Sequence, residues 1–316
     1  MKNPVDNVNV YRSICKCEKV INSYNVVNVS ISGGKDSDIL LALIEYCKQR
    51  LTAKINYVFF DTGIEYTATK IHLKELEMKY NITIERRKAF KPVPLAIKHH
   101  GAPFLNKRIS NYIERLQRHN FEWIDEPFET LYKKYPKCKA ALRWWCNDFP
   151  DRRYNIEYHS FLKEYMLDYP PTFPISDHCC TYAKKKTGDN YKKETGAELT
   201  IMGLRKAEGG ARNNINNCWN IEKGVFYPLL WYTQSDIEFA SECFNVTHSK
   251  CYTEYGLKRT GCAGCPFGQQ FENELEIIKE YEPALYVACN NIFAKSYEYT
   301  RNYKRYRELI KAGLKY

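Results

Sequence analysis

The stretch Val26 to Ser32 (VVNVSIS) reads as a buried strand, and it runs into Ser32-Gly33-Gly34-Lys35-Asp36-Ser37. Beyond that loop, apolar residues recur at Ile39, Leu40, Leu43, Ile44 and Cys47 within Asp38 to Arg50, which is helical spacing. A strand, a glycine turn and a helix in that order narrow the folds open to the chain. Adjacent glycines let the backbone turn sharply and approach a ligand. The helix that follows offers unpaired N–H groups and the positive end of its dipole to phosphate. Lys35 adds a full charge and Ser37 a hydroxyl donor. The spacing is not G-x-x-x-x-G-K-[ST], so this is not a Walker A loop. An ordinary glycine turn is the alternative, and the specified loop in its strand–loop–helix setting favours phosphate binding.

The same rhythm continues downstream. Ile55 to Phe60 (INYVFF) predicts a second buried strand, followed by Asp61-Thr62-Gly63. Thr67 to Tyr80 reads as the next helix and Ile82 to Arg86 as a third strand. Alternation of this kind implies an α/β fold, a doubly wound parallel sheet with right-handed crossovers. Residues 90–175 interrupt it with Pro92, Pro94, Pro103, Pro127, Pro136, Pro150 and Pro170-Pro171. They read as an insertion or lid with short helices, one of them at Asn106 to His119. Sheet building resumes at Leu199 to Met202, which leads into Gly203, and at Val225 to Leu230. Thr233-Gln-Ser-Asp236 opens a helix through Cys243 with a capping-box pattern. The domain expectation is a nucleotide-binding α/β domain over residues 1–268, with the insertion at about 90–175, and a helical C-terminal region over 269–316.

Composition sets the partners and the redox setting. The 316 residues carry a net charge of +11, which favours polyanionic partners such as nucleotides, RNA or DNA, with a solvated basic surface as the alternative. The amino terminus has no apolar core of signal-peptide type. No apolar run approaches the ~20 residues of a membrane span. A cytoplasmic location and no membrane partner are the expectation. Thirteen cysteines in a reducing compartment read as metal or redox sites, not as a disulfide framework.

With its strand and helix around it, SGGKDS resembles the signature loop of the PP-loop ATP pyrophosphatases. These share an adenine nucleotide α-hydrolase-like, Rossmann-related fold, and many of them cleave ATP between the α and β phosphates. The resemblance makes Ser32, Gly33, Gly34, Lys35, Asp36 and Ser37 nucleotide-binding residues, with Lys35, Asp36 and Ser37 the catalytic candidates and Mg²⁺ accompanying ATP. Asp61-Thr62-Gly63 falls where ligands bind in open α/β sheets, beyond the carboxyl end of a strand. As a tripeptide it also suits a plain turn. It resembles the D-T-G of the phosphoadenylyl-sulfate (PAPS) and adenylyl-sulfate (APS) reductases, which helps to hold adenosine, although the Pro-x-Thr that usually follows lacks its proline here. Gly203-Leu-Arg205-Lys-Ala-Glu208-Gly-Gly-Ala-Arg212 is similar to the family's G-x-R-x-x-E-S-x-x-R, with Gly209 where serine is usual. Arg205 and Arg212 suit a clamp on phosphate or sulfate.

The cysteines extend the resemblance. Cys262-Ala-Gly-Cys265 presents two thiolates to one metal. The tandem Cys179-Cys180, whose side chains diverge in regular structure, suits a cluster of several irons better than one tetrahedral zinc. Four thiolates are the usual complement of a [4Fe–4S] cluster. The set resembles the CC…CxxC of the iron–sulfur APS reductases, and Lys184 stands where those enzymes also carry a lysine. Zinc is the runner-up, and buried inert cysteines are the bland alternative. Cys251 could replace one ligand, with Cys138, Cys146 and Cys218 weaker stand-ins. Arg259-Thr-Gly-Cys262 with Cys265-Pro-Phe more loosely resembles the sulfur-inserting PP-loop proteins of DNA phosphorothioation.

The C-terminal E-C-G-x-H that carries the reductases' nucleophile is missing, since the last cysteine is Cys289. The first expectation is therefore an enzyme of sulfur metabolism, a transferase. It uses ATP, yielding AMP and pyrophosphate, to activate a substrate for iron–sulfur-assisted sulfur transfer to a nucleic acid or its precursor. A protein sulfur donor or reductant would be its partner. APS or PAPS reduction is the second expectation, and a non-catalytic nucleotide-binding subunit the third. Two further features carry less weight. Tyr299, Tyr303 and Tyr306 form a stripe that reads as packing on the body, with base stacking among the surrounding Arg and Lys as the alternative. His99-His100 reads as exposed loop histidines, with metal ligation as the alternative.

Overall fold

The structure, a computed structural model, describes residues 2–268 and 270–314. The chain divides into two compact units, Met1–Phe90 with Ala183–Ala263, and Lys91–Tyr182 with Gly264–Tyr316. In chain order the elements begin with α1 (Val8–Ile21), β1 (Val26–Ser30), α2 (Lys35–Cys47), β2 (Lys54–Asp61), α3 (Thr67–Tyr80) and β3 (Ile84–Lys88). Next come α4 (Val93–His100), α5 (Lys107–Arg118), α6 (Phe128–Lys134), α7 (Lys139–Trp145) and α8 (Leu162–Asp168). The short α9 (His178–Cys180) passes through a π-helical turn at Thr181–Lys185 into α10 (Lys186–Thr195). Then follow β4 (Leu199–Met202), β5 (Trp219–Asn220), β6 (Val225–Phe226), α11 (Gln234–Cys243), α12 (Lys250–Thr253), α13 (Phe271–Tyr281) and α14 (Pro283–Lys311).

The first unit is a doubly wound α/β sheet of order β3-β2-β1-β4-β6-β5. All neighbours pair in parallel except β5, which runs antiparallel to β6 at the edge. The alternation of elements predicts the parallel part. The antiparallel edge is an addition to it. Successive side chains of a strand point to opposite faces, and β1 uses this fully. Val27 and Val29 enter the apolar core with Ile39, Leu40, Leu43 and Ile44 of α2 and with Val10, Ile14 and Ile21 of α1. Asn28, on the other face, is bonded through Nδ2 to Thr195 Oγ1 of α10 at 3.0 Å. The expected strand Val225 to Leu230 stops at Phe226. Pro228 has no N–H to give to a ladder, so pairing ends before it. The third strand starts at Ile84 instead of Ile82. Thr233 caps α11 with the box predicted for it, its hydroxyl on the Asp236 N–H and the Asp236 carboxylate on the Thr233 N–H.

The second unit has its own core. Phe104, Ile109, Ile113, Leu116, Trp144, Trp145 and Tyr165 pack with Tyr299, Tyr303 and Tyr306 of α14. The three tail tyrosines are 8%, 3% and 5% exposed, so the stripe is packing. Their hydroxyls are bonded to Tyr169 O, Ser160 O and Asp168 Oδ2. His99 and His100 close α4 and do not lie in a loop, and His100 stacks on Tyr182 with ring centroids 4.7 Å apart. Among the described residues no helix is long and apolar enough to cross a membrane.

Under the Ser32–Ser37 loop a buried charge ties helices together. Asp38 of α2 is fully buried, with His72 Nε2 of α3 at 3.2 Å and His248 Nδ1 at 3.0 Å from its Oδ2. Burial pulls the His72 imidazole down, but the Asp38 and Glu75 carboxylates together more than offset it and the net shift is upward. A histidine raised above its unfolded value, ~6.5, gives stability that is whole below that value and lost as pH rises through the folded one. The contribution of His72 to the thermal midpoint is therefore expected to shrink as pH rises from about 6 to about 8. His72→Gln is expected to flatten that slope and, at pH 6, to cost about 3 kcal/mol for breaking a buried pair. Melting curves of both proteins across that range are the check, and an unchanged slope in the variant would remove His72 as its source.

Candidate functional site

β1 and β4 are neighbours, and the chain leaves their carboxyl ends in opposite directions across the sheet. Crevices of this kind bind ligands in open α/β sheets. Here the crevice is a cavity of about 1040 Å³ within the first unit. Its floor is the polar face of the strands, with Asn28 and Ser30 of β1 and Thr200 and Met202 of β4. Its wall carries Lys35, Lys184, Arg205, Arg212, Lys258 and Arg259, and basic side chains outnumber acids around it. Such a cavity focuses positive potential on an anion.

The loop owes its shape to its glycines and to Ser37. Gly33 adopts φ +68, and a Cβ there would lie 2.7 Å from Thr69 Cγ2. Gly34 is the extended N-cap of α2. Ser37 Oγ accepts from the Gly34 N–H at 3.0 Å and donates to the Gly34 carbonyl at 2.8 Å, and Ser32 Oγ donates to it at 3.1 Å. The Ser37 proton is thus spent inside the loop, where the sequence reading gave it to phosphate. Gly203 lets β4 approach the start of α2. A Cβ there would stand 2.7 Å from the Asp36 carbonyl oxygen.

Of the residues singled out from sequence, Ser32, Gly34, Lys35, Asp36, Ser37, Thr62, Arg205 and Arg212 line the cavity. Gly33, Asp61 and Gly63 shape the turns behind it. Asp61 Oδ1 accepts from the Gly63 N–H at 2.9 Å, an Asx turn. Arg205 Nε lies 2.8 Å from Asp36 Oδ2. The other Asp36 oxygen, Oδ1, is buried and has no hydrogen-bond partner among the described residues. It is an oxygen open to a hard cation or its water. Glu208 pairs with Arg212 at 3.1 Å and with Arg259 at 3.7 Å.

Several wall residues were not foreseen. Glu65 accepts from Thr62 Oγ1 at 2.5 Å and from the Thr62 N–H at 3.2 Å. Burial pushes its carboxyl up, against the pull of Thr62 and Lys184. Tyr252 and Thr260 stand on the phosphate loop itself. Glu65, two residues past Gly63, and Thr260, two before Cys262, could have been found as polar side chains beside motifs already noted. Tyr252 carries no such local signal.

The four cysteines of the CC and CxxC set fall in both units. Cys262 belongs to the first, where its Sγ lies 3.6 Å from Thr62 Oγ1. Cys179, Cys180 and Cys265 belong to the second. Cys179 is buried, and the other three are half-buried. Cys251 is buried in the first unit with its Sγ 3.7 Å from Thr69 Oγ1. Cys289 of α14 is buried, 3.1 Å from where a Gly264 Cβ would be. Soft thiolates are the donors that iron–sulfur clusters and zinc take. Among the described residues no three His, Cys, Asp or Glu side chains are gathered closely enough to hold a metal ion.

Known proteins resemble the chain as follows. An uncharacterized protein of Methanocaldococcus jannaschii is 22% identical over 312 residues, covering 98% of this chain. The chain spans 57% of that protein's length. The solved phosphoadenylyl-sulfate (PAPS) reductase of Candida auris, in a phosphate complex, is 13% identical with a TM-score of 0.43, covering 82% of this chain and 93% of that one. The U34-tRNA thiolase NcsA of Methanococcus maripaludis, solved with its [4Fe-4S] cluster, is 14% identical with a TM-score of 0.40, covering 95% and 79%. The family model described as the phosphoadenosine phosphosulfate reductase domain matches residues 26–267. The chain belongs to the phosphoadenosine phosphosulfate reductase domain family.

Proposed function

We propose that the chain binds ATP at Ser32–Ser37 and uses it to activate a substrate for sulfur transfer to a nucleic acid or its precursor. The observation that supports this reading is the phosphate loop opening into a basic cavity where the sheet order reverses. In the activating step an acceptor oxygen attacks the α-phosphorus of ATP. The bond between the α-phosphorus and the oxygen that bridges it to the β-phosphorus breaks, and pyrophosphate leaves with that oxygen and the electron pair. The N–H groups of the loop and Lys35 meet the charge that grows on the leaving group. Arg205, held by Asp36, and Arg212, held by Glu208, need little reorganisation to join them. Glu65, raised by burial, is suited to take the acceptor's proton. Mg²⁺ bound with ATP would neutralise phosphate charge, and Asp36 Oδ1 is the oxygen suited to it. A [4Fe–4S] cluster on Cys179, Cys180, Cys262 and Cys265 would supply the place where sulfur is held or delivered.

Reduction of a sulfonucleotide is the second reading, favoured by the family itself. It needs a thiolate that attacks sulfur and forms a covalent adduct.

Each part has its measurement. Lys35→Ala removes the loop's full charge. A charge-assisted contact is worth about 1.5–3 kcal/mol, so ATP affinity is expected to fall roughly ten- to a hundredfold by calorimetry, whereas unchanged affinity would move the nucleotide elsewhere. Incubation with ATP is expected to release pyrophosphate slowly, and labelled APS or PAPS with thioredoxin or glutathione to give no sulfite. Sulfite that disappears when one cysteine is replaced would establish the reductase reading in its place. Anaerobically purified protein is expected to be brown with about four irons and matching sulfide per chain, bleached by Cys262→Ser or Cys265→Ser. Stoichiometric zinc without sulfide would defeat the cluster.

A further inference from the structure

A hydroxyl pair stands against the phosphate loop. Tyr252 Oη accepts from the Lys35 N–H at 3.3 Å and lies 2.6 Å from Thr260 Oγ1. A Cβ on Gly34 would come within 3.2 Å of that Oη and 3.3 Å of Thr260 Oγ1, so both hydroxyls press on the loop's backbone. Lys35 Nζ lies 4.7 Å from the centre of the Tyr252 ring. The base of Tyr252 is fixed. Ser249 Oγ caps its helix at Cys251 N, and His248, on the buried Asp38, meets its ring edge to face at 6.2 Å.

Thr260 lies in a segment anchored at both ends. The buried Leu257 donates its N–H to Cys251 O at 2.9 Å, and the buried Ala263 donates to Ile64 O at 3.1 Å. Between these anchors Lys258, Arg259 and Gly261 are exposed, and a Cβ on Gly261 would meet nothing within 4 Å. The middle of the segment has room to shift, and it ends at Cys262.

We propose that Tyr252 and Thr260 complete the phosphate site and carry its occupancy to Arg259–Cys262. The inference rests on the reading of Ser32–Ser37 as a phosphate site. A phosphate oxygen at the Lys35 N–H makes a charge-assisted bond, shorter and stronger than the 3.3 Å contact to a neutral hydroxyl. The phenol then gives up the N–H and turns its own proton to the anion. Thr260, joined to it at 2.6 Å, follows, and the chain moves Cys262 relative to Thr62. Lys258 and Arg259, exposed on the same segment and lining the cavity, add charge on the side from which the anion arrives.

Hydrogen exchange read by mass spectrometry on the full chain, with inorganic pyrophosphate as the probe, tests this. In the unmodified protein pyrophosphate is expected to slow exchange in peptides covering 31–37 and in those covering 258–262, each at least threefold. In Tyr252→Phe and Thr260→Val the protection of 31–37 is expected to persist, with pyrophosphate bound about tenfold more weakly and supplied to saturation. The protection of 258–262 is expected to be lost. Melting curves matching the unmodified protein establish that both variants are folded. Protection of 258–262 that survives in both variants would overturn the coupling. No protection of 31–37 in the unmodified protein would instead overturn the phosphate site on which it rests.

Discussion

In the phosphate site we propose, N–H groups at the start of α2 have to be open to a ligand while the rest of the helix is buried. Much of the first unit is arranged around that requirement. Helix N-termini leave donors without intrahelical partners. Here Ser37 satisfies one of them, at Gly34, from within the loop. Gly33 turns the chain with a positive φ, and Gly203 brings the end of β4 against the Asp36 carbonyl, where a Cβ would clash at 2.7 Å. One turn further in, Asp38 is held between His72 and His248. The loop is therefore braced from below by a buried polar cluster and from the side by a second strand, so its shape does not wait on a ligand.

The sequence was readable where one short segment contains its own determinants. α3 spans Thr67–Tyr80, as its pattern predicts, and β4 spans Leu199–Met202. Thr233 and Asp236 close their capping box because both partners lie within four residues. The loop, the D-T-G turn and the arginine segment stand together because they follow the carboxyl ends of the neighbouring parallel strands β1, β2 and β4. What escaped is what depends on distant pairs. Asp38 alone looks like a surface acid at the start of a helix, and only α3 and the residues before α12 make it a buried clasp. Tyr252 is one of 26 tyrosines and reaches the loop from 217 residues away. Residues 90–175 read as an interruption of the sheet, and the aromatic residues that give them a core with α14 are scattered across the chain. The strand β1 was readable as buried but not as two-faced, since Asn28 and Ser30 become meaningful only once a cavity lies over one face.

Acids inside the proposed phosphate site call for a physical account, because a bare carboxylate repels an anion. Asp36 lies within the loop and Glu208 on the cavity wall, yet each is matched to a guanidinium. A carboxylate at 2.8 Å offsets the Arg205 charge locally and holds the guanidinium at the wall by ion pairing, without a hydrogen bond from Nε. The guanidinium has five donors, so those turned away from Asp36 stay available to an anion. The arginine loses less conformational freedom when the anion binds than one waiting in solvent would. Glu208 does the same for Arg212 and, at longer range, for the exposed Arg259. The cavity thus trades some net positive charge for donors already in place. For the departure of pyrophosphate that we propose, that trade is favourable, because the advantage of fixed donors is largest at the moment the charge appears.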